Sequence, residues 1–101
     1  MLLGRVSPAK QPSETFIVAI DFVRELDAGE TITIQAVTSK KLADGSDSSG
    51  TFLTSPSISG SKILVRVQGG ATGDMHRVQM RATTSNANVY EHEIDVPVEE
   101  V

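Results

Sequence analysis

The chain has 101 residues, of which 39% are hydrophobic and 22% charged, with a formal net charge of −4 and no cysteine. That is the length and composition of one folded domain with a single modest core, not of a disordered chain. The negative balance argues against a broad basic surface for nucleic acid. The absence of cysteine excludes disulfide frames, thiolate zinc sites and cysteine nucleophiles.

The opening MLLGRVSPAKQPSE has too short an apolar run for a signal peptide. No stretch approaches the roughly 20 apolar residues of a membrane span. A soluble product made in the cytoplasm is expected. Residues 1–13 hold Pro8 and Pro12 among polar residues and read as a flexible N-terminal arm, ahead of a domain over 14–101. FIVAIDF comes next, with Phe16, Val18, Ile20 and Phe22 on one face, and predicts a strand. VRELDAGE is too short for a stable helix and predicts a turn around Gly29. TITIQAVTS predicts a second strand with Ile32, Ile34 and Ala36 inward. Val37 has the wrong parity, which a β-bulge would explain.

KKLADGSDSSG predicts a polar loop, and TFLTSPSIS one or two short strands broken at Pro56. KILVRVQ is a clean strand with Ile63, Val65 and Val67 inward. The last two strands form a hairpin. Val78, Met80 and Ala82 share one face, as do Tyr90, Ile94 and Val96, and the two sets must face the same side. A three-residue loop over 86–88 pairs Met80 with Ile94 and Val78 with Val96. Asn88 then takes the left-handed position, and Arg81 sits opposite Glu93 as an exposed pair worth about 0.5 kcal/mol. The count is about seven short strands with no credible helix, which predicts an all-β antiparallel sandwich.

Each cluster of polar residues has a chemical and a bland reading. In the expected register His92 pairs with Ala82, six residues from His76, a separation of about 20 Å. Two such histidines cannot share a metal, and zinc needs three or four convergent ligands. Asp44 and Asp47 offer oxygens among serines, but the EF-hand spacing is absent and turn formation is the simpler role. Asp21, Glu25, Asp27 and Glu30 would need to flank a cleft to act as acid and base, and a turn between strands is ordinarily acidic and exposed. SPSISGS is no nucleophile elbow, since no helix comes after it. GGATGD would hold phosphate only at the start of a helix. The residues after Asp74 alternate with period two, so Gly69, Gly70 and Gly73 predict a bend between sheets. No catalytic, cofactor or metal residues are expected.

Several motifs, in order, resemble one family. They are DFVREL at 21–26, GETI at 29–32, GGATGDMH at 69–76, TTSNAN at 83–88 and the ending VPVEEV. This arrangement, over residues 16–101, resembles small immunoglobulin-like proteins encoded among the structural genes of tailed bacteriophages and prophages. It departs from their pattern at Val23, Glu25, His76 and Asn88. His76 stands where immunoglobulin-like sandwiches often carry a corner tyrosine, two residues before the core Val78. The resemblance implies an immunoglobulin-like sandwich without enzymatic activity. Its implied partners are other phage structural proteins of the head–tail or tail region, with no nucleic acid and no membrane. It also implies assembly in the host cytoplasm and residence in the virion. The alternative is a module binding a carbohydrate or cell-surface partner. Sugar platforms display aromatic rings, however, and this chain has only Phe16, Phe22, Phe52 and Tyr90.

Overall fold

The computed structural model of the chain describes residues 5–100. It is all-β, with two sheets that share one core. One sheet has the order β1-β7-β6-β3, built from β1 (Arg5–Val6), β3 (Ile32–Lys41), β6 (Met75–Thr84) and β7 (Val89–Pro97). The other has the order β2-β5-β4, from β2 (Phe16–Asp21), β4 (Leu53–Ser59) and β5 (Lys62–Val67). Every pairing between these strands is antiparallel except β1 on β7, which is parallel.

Period-two burial explains most of this. Val18 and Ile20 of β2 and Ile63, Val65 and Val67 of β5 face Val78, Met80 and Ala82 of β6 and Ile94 and Val96 of β7. Phe22, Ile32, Phe52 and Val98 close the ends of the same cluster. Each fully buried aliphatic or aromatic side chain contributes about 1.5–3 kcal/mol. This cluster therefore outweighs any single polar contact in the molecule.

Four expectations need correction or completion. First, a bulge does interrupt β3, but it lies at Thr33: Ile32 pairs with Thr84 and Ile34 with Thr83. One extra residue inverts the facing of everything after it. Ile34, expected inside, is 61% exposed, and Ala36 also points out, while Val37 packs against the core. Second, the last hairpin pairs Met80 with His92, Val78 with Ile94 and Arg81 with Glu91. A slip of two residues keeps every side chain on its face, so alternation alone cannot choose between the two registers. The loop has the expected length but covers 85–87, with Ala87 rather than Asn88 in the left-handed position at φ 63°. Thr84 fixes it, because its Oγ1 accepts the N–H groups of Asn86 and Asn88. Third, one helical turn, α1 (Ser49–Phe52), stands where no helix was expected. Asp47 Oδ1 accepts the Ser49 N–H, Ser48 O accepts that of Phe52, and the turn delivers Phe52 to the core. Fourth, TFLTSPSIS gives the end of α1 at Thr51 and Phe52 and then one strand, β4, whose register shifts between Thr54 and Ser57 at Pro56.

Residues 1–4 of the expected arm lie outside the described residues. From Arg5 the chain runs along β7: Ser7 N donates to Asp95 O (2.9 Å), Lys10 N to Pro97 O (2.8 Å), and Glu99 N to Lys10 O (2.8 Å). No helix of the described residues is long and apolar enough to cross a membrane.

Candidate functional site

The glycine corner carries the chain from β5 to β6 and from one sheet to the other. Gly69, Gly70 and Gly73 adopt φ of 68°, 89° and 93°, which side chains resist. At Gly70 a Cβ would also lie 2.9 Å from Val98 Cγ2. Strand β6 comes next, so no helix N-terminus faces the corner. Three of its amides serve the fold instead: Ala71 N donates to Asp74 Oδ2 (3.1 Å), Gly73 N to Val98 O (2.9 Å) and Asp74 N to Ala71 O (3.0 Å).

Lys10 closes the corner from the N-terminal side. It is fully buried, and its ammonium donates to the carbonyls of Gly69 (2.7 Å), Gln11 (2.7 Å) and Pro12 (3.2 Å). All three donors of the group are thereby used. Burial lowers its pKa, and nearby Glu14 opposes that shift. Sequence reasoning missed this residue. A lysine between two prolines carries the signature of a solvated segment, and nothing local marks it as an anchor.

His76 sits beside this corner, buried and stacked on Phe52 with ring centroids 4.0 Å apart. Its Nδ1 lies 2.9 Å from Ser48 Oγ, and Ser48 shares a 2.7 Å hydrogen bond with Ser39. Its Nε2 has no hydrogen-bond partner and lies 3.7 Å from Asp74 Oδ2, which Lys41 also approaches at 3.8 Å. Burial holds the imidazole below its ordinary pKa, against the pull of Asp74. A histidine between a serine and an aspartate has the residue types of a nucleophilic triad. Here Ser48 and His76 are both buried and the ring is covered by Phe52. The nearby groove of 340 Å³ is lined by residues that include Ser39, Asp47, Ser49, Arg77 and Glu93, but not Ser48 or His76.

The acidic stretch 21–30 is dispersed among separate partners. Asp21 accepts from Ser61 Oγ (2.6 Å) and Val23 N (2.9 Å). Glu25 contacts His92, whose ring lies 5.1 Å from that of Phe22. Glu30 is buried and accepts from Thr84 Oγ1, Asn88 Nδ2 (3.0 Å) and Asp27 N (2.8 Å). These hydrogen bonds, led by Ser61 for Asp21 and by Thr84 for Glu30, lower both carboxyl pKa values. General acids need the opposite shift. Asp44 and Asp47 each accept from a serine two residues on, Ser46 and Ser49, and are lowered for the same reason. Ser61 of SPSISGS is committed to Asp21.

The two histidines lie opposite Val96 and Met80, four residues apart along β6, a separation of about 13 Å and not 20 Å. Among the described residues no three of His, Asp and Glu converge as metal ligands. The outer face of the β7-β6-β3 sheet carries charged rungs. Arg77 forks onto Asp95 (2.9 and 3.2 Å) and also reaches Glu93 (3.2 Å). Arg81 meets Glu91 (3.0 Å), where Glu93 was expected. Asp95 raises the Arg77 pKa. Phe22 and Phe52 are fully buried, and Phe16 and Tyr90 pack against the core. The interior polar groups hold loops to the two ends of the sheets. No curated protein matches the chain. Residues 10–97 match the family model described as podophage GP4 fiber-tail adaptor protein gp77, and the chain therefore belongs to that family, a structural family of tailed phages.

Proposed function

We propose that the chain is a non-enzymatic connector in a phage tail, holding fibre and tail components together through protein–protein contacts. The observation that carries this reading is the family match over residues 10–97. Between the head–tail and the tail components expected as partners, the family's description as a fibre-tail adaptor supports the tail. The site chemistry supports it: the buried lysine, histidine and glutamate all contact groups of the fold itself. The carbohydrate alternative loses support, since all four aromatic side chains lie in or against the core.

We also read the fold as an immunoglobulin-like sandwich. The order β2-β5-β4 corresponds to the B-E-D strands of that architecture and β7-β6-β3 to G-F-C, with β1 added alongside G. His76 takes the corner position, with Ser48 as its partner. The chain is made in the host cytoplasm and enters the virion on assembly.

Particles assembled without the chain test this role. Electron microscopy should show tails lacking fibres, and adding purified protein should restore them. A full set of fibres on particles that lack the chain would overturn the reading.

A further inference from the structure

The outer strands of a sheet carry unpaired N–H and C=O groups, and folded proteins usually protect them. Strand β4 is bulged and contains Pro56. Strand β3 is bulged at Thr33, and its far end is covered where Lys40 bridges Asp47 and Ser48 N donates to Ser39 O. Strand β1 is two residues long. Strand β2 has none of these devices. It pairs with β5 in unbroken register from Phe16 opposite Val67 to Asp21 opposite Lys62, and it contains no proline, glycine or lysine. Among the described residues, the main-chain hydrogen bonds of the segment over 7–10 go to β7 and to Glu99, and a cleft of 490 Å³ separates that segment from β2.

The ladder fixes which groups of β2 are free. Phe22 N donates to Ser61 O, one rung beyond the pairing of Asp21 with Lys62. Bonded and non-bonded rungs alternate in an antiparallel pair. Phe16, Val18 and Ile20 therefore bond to β5, while Ile17, Ala19 and Asp21 turn their N–H and C=O groups to the open edge. Their side chains also lie outside the core: Ile17 is 52% exposed, and Ala19 and Asp21 are exposed. A second copy of β2 added antiparallel keeps both phases only if the twofold axis passes through a residue and not between two. An axis on Ile17, Val18 or Ile20 sets Glu14 opposite Ile20, Phe22 or Leu26 of the copy, all apolar. An axis on Ala19 sets it opposite Arg24, because Glu14 and Arg24 lie equally far from Ala19 along the chain. Arg24 is exposed in the turn after β2 and forms no ion pair among the described residues. One oxygen of Glu14 accepts from Gln11 N (2.7 Å), which leaves the other for a cation.

We propose that two copies of the chain pair through β2, antiparallel about a twofold axis at Ala19. Ile17 then exchanges main-chain hydrogen bonds with Asp21 of the second copy, and Ala19 with its own counterpart. Val18 stands opposite Ile20 and Phe16 opposite Phe22, so the core-facing sides stay aligned. Glu14 meets Arg24 at both ends of the contact, and this charge complementarity selects a second copy as the occupant. Ile17 comes within diagonal reach of Val23, itself 58% exposed. The Asp21 carboxylate is held by Ser61 Oγ and Val23 N of its own copy. The result is one sheet of order β4-β5-β2-β2-β5-β4, ending on both sides in the bulged, proline-bearing β4. An isologous contact of this kind closes on itself and stops at two copies.

Sedimentation equilibrium of the full chain should show monomers and dimers in exchange and no larger species. The sequence contains no cysteine, so Ala19→Cys supplies a single thiol. Bonded antiparallel partners have Cα atoms about 5.5 Å apart, within the range of a disulfide. Mild oxidation should therefore link Ala19→Cys into a dimer. Ile17→Cys, about 14 Å from its counterpart across the axis, should stay unlinked under the same treatment. Arg24→Glu should weaken dimerisation about three- to tenfold, and adding Glu14→Lys should restore it. A chain that stays monomeric up to about 1 mM would overturn the proposal. So would a cross-link through Ile17→Cys but not Ala19→Cys, oligomers that grow beyond two, or an Arg24→Glu variant that dimerises as tightly as the natural chain. None of these outcomes bears on the adaptor role.

Discussion

Gly70 and Gly73 form a matched pair for testing what the glycine corner does. Both have strongly positive φ, 89° and 93°, so an alanine at either position meets the same backbone resistance. That resistance costs about 1–2 kcal/mol. The surroundings differ. A Cβ at Gly73 has nothing within 4 Å, whereas one at Gly70 lies 2.9 Å from Val98 Cγ2 and 3.4 Å from Phe52 Cε1. Val98 and Phe52 are both buried in the core, so neither yields freely. Overpacking of that kind adds about 1–3 kcal/mol. The expected loss is therefore about 1–2 kcal/mol for Gly73→Ala and about 2–5 kcal/mol for Gly70→Ala. With an unfolding entropy of about 2.1 cal/mol/K per residue, each kcal/mol lowers the melting temperature of a chain this size by about 5 °C. Thermal melts followed by circular dichroism should separate the two variants by about 5–15 °C. Adding Val98→Ala to Gly70→Ala should recover part of the loss, as a positive coupling in a double-mutant cycle. Equal destabilisation at the two glycines, with no coupling to Val98, would refute the claim that the corner packs on the end of β7.

Lys10→Met keeps the aliphatic stem but removes three hydrogen bonds from a buried ammonium, and should cost about 2–3 kcal/mol in urea unfolding. Hydrogen exchange at Ser7 and Glu99, whose amides hold this segment to β7, should rise with it. The bulge at Thr33 predicts opposite outcomes for two neighbouring residues: Val37→Asp should lose about 2–4 kcal/mol, while Ile34→Asp stays within about 0.5 kcal/mol. Burial depresses the His76 pKa, so the unfolded chain binds the proton more tightly. Stability should then fall as pH drops below the ordinary value of 6.5 and level off below the depressed folded value, and His76→Phe should flatten that slope in urea midpoints measured against pH. The lowered pKa values of Asp21, Glu30, Asp44 and Asp47 place a second loss at more acid pH, beginning below the ordinary 3.8 and 4.5 of free carboxyls.

Period-two burial made β2, β5, β6 and β7 legible because each has one wet face and one dry face. It could also say that β3 contains a bulge, from the misplaced parity of Val37. It could not say where, since Thr33 and Ala36 break the alternation equally well on paper. Contacts far along the chain decide the matter: Thr33 Oγ1 donates to Thr83 O, and Thr31 N donates to Ser85 Oγ. The hairpin register failed for a related reason. Alternation is blind to slips of two, and the deciding cluster joins Glu30 to Thr84 and Asn88 across more than fifty positions. Lys10 is the extreme case, since the carbonyl that anchors its ammonium across the corner belongs to Gly69, 59 residues away.

These long-range nodes have a mechanical consequence. One end of the molecule is tied by Lys10 on Gly69, His76 on Ser48 and Gly73 on Val98. The other is tied by Glu30 on Thr84 and Asn88 and by Glu25 on His92. Leaving a buried hydrogen-bonding group without its partner costs about 1–3 kcal/mol, a large share of the stability of a small domain. The end loops therefore cannot rearrange cheaply to grip a ligand, unlike the free loops that serve recognition in many sandwiches. What remains available without unfolding is the rigid part of the surface: the charged rungs of Arg77 and Arg81 on one sheet and the outer strands of the other. That distribution suits the proposed connector role, in which load would pass through a body that keeps its shape.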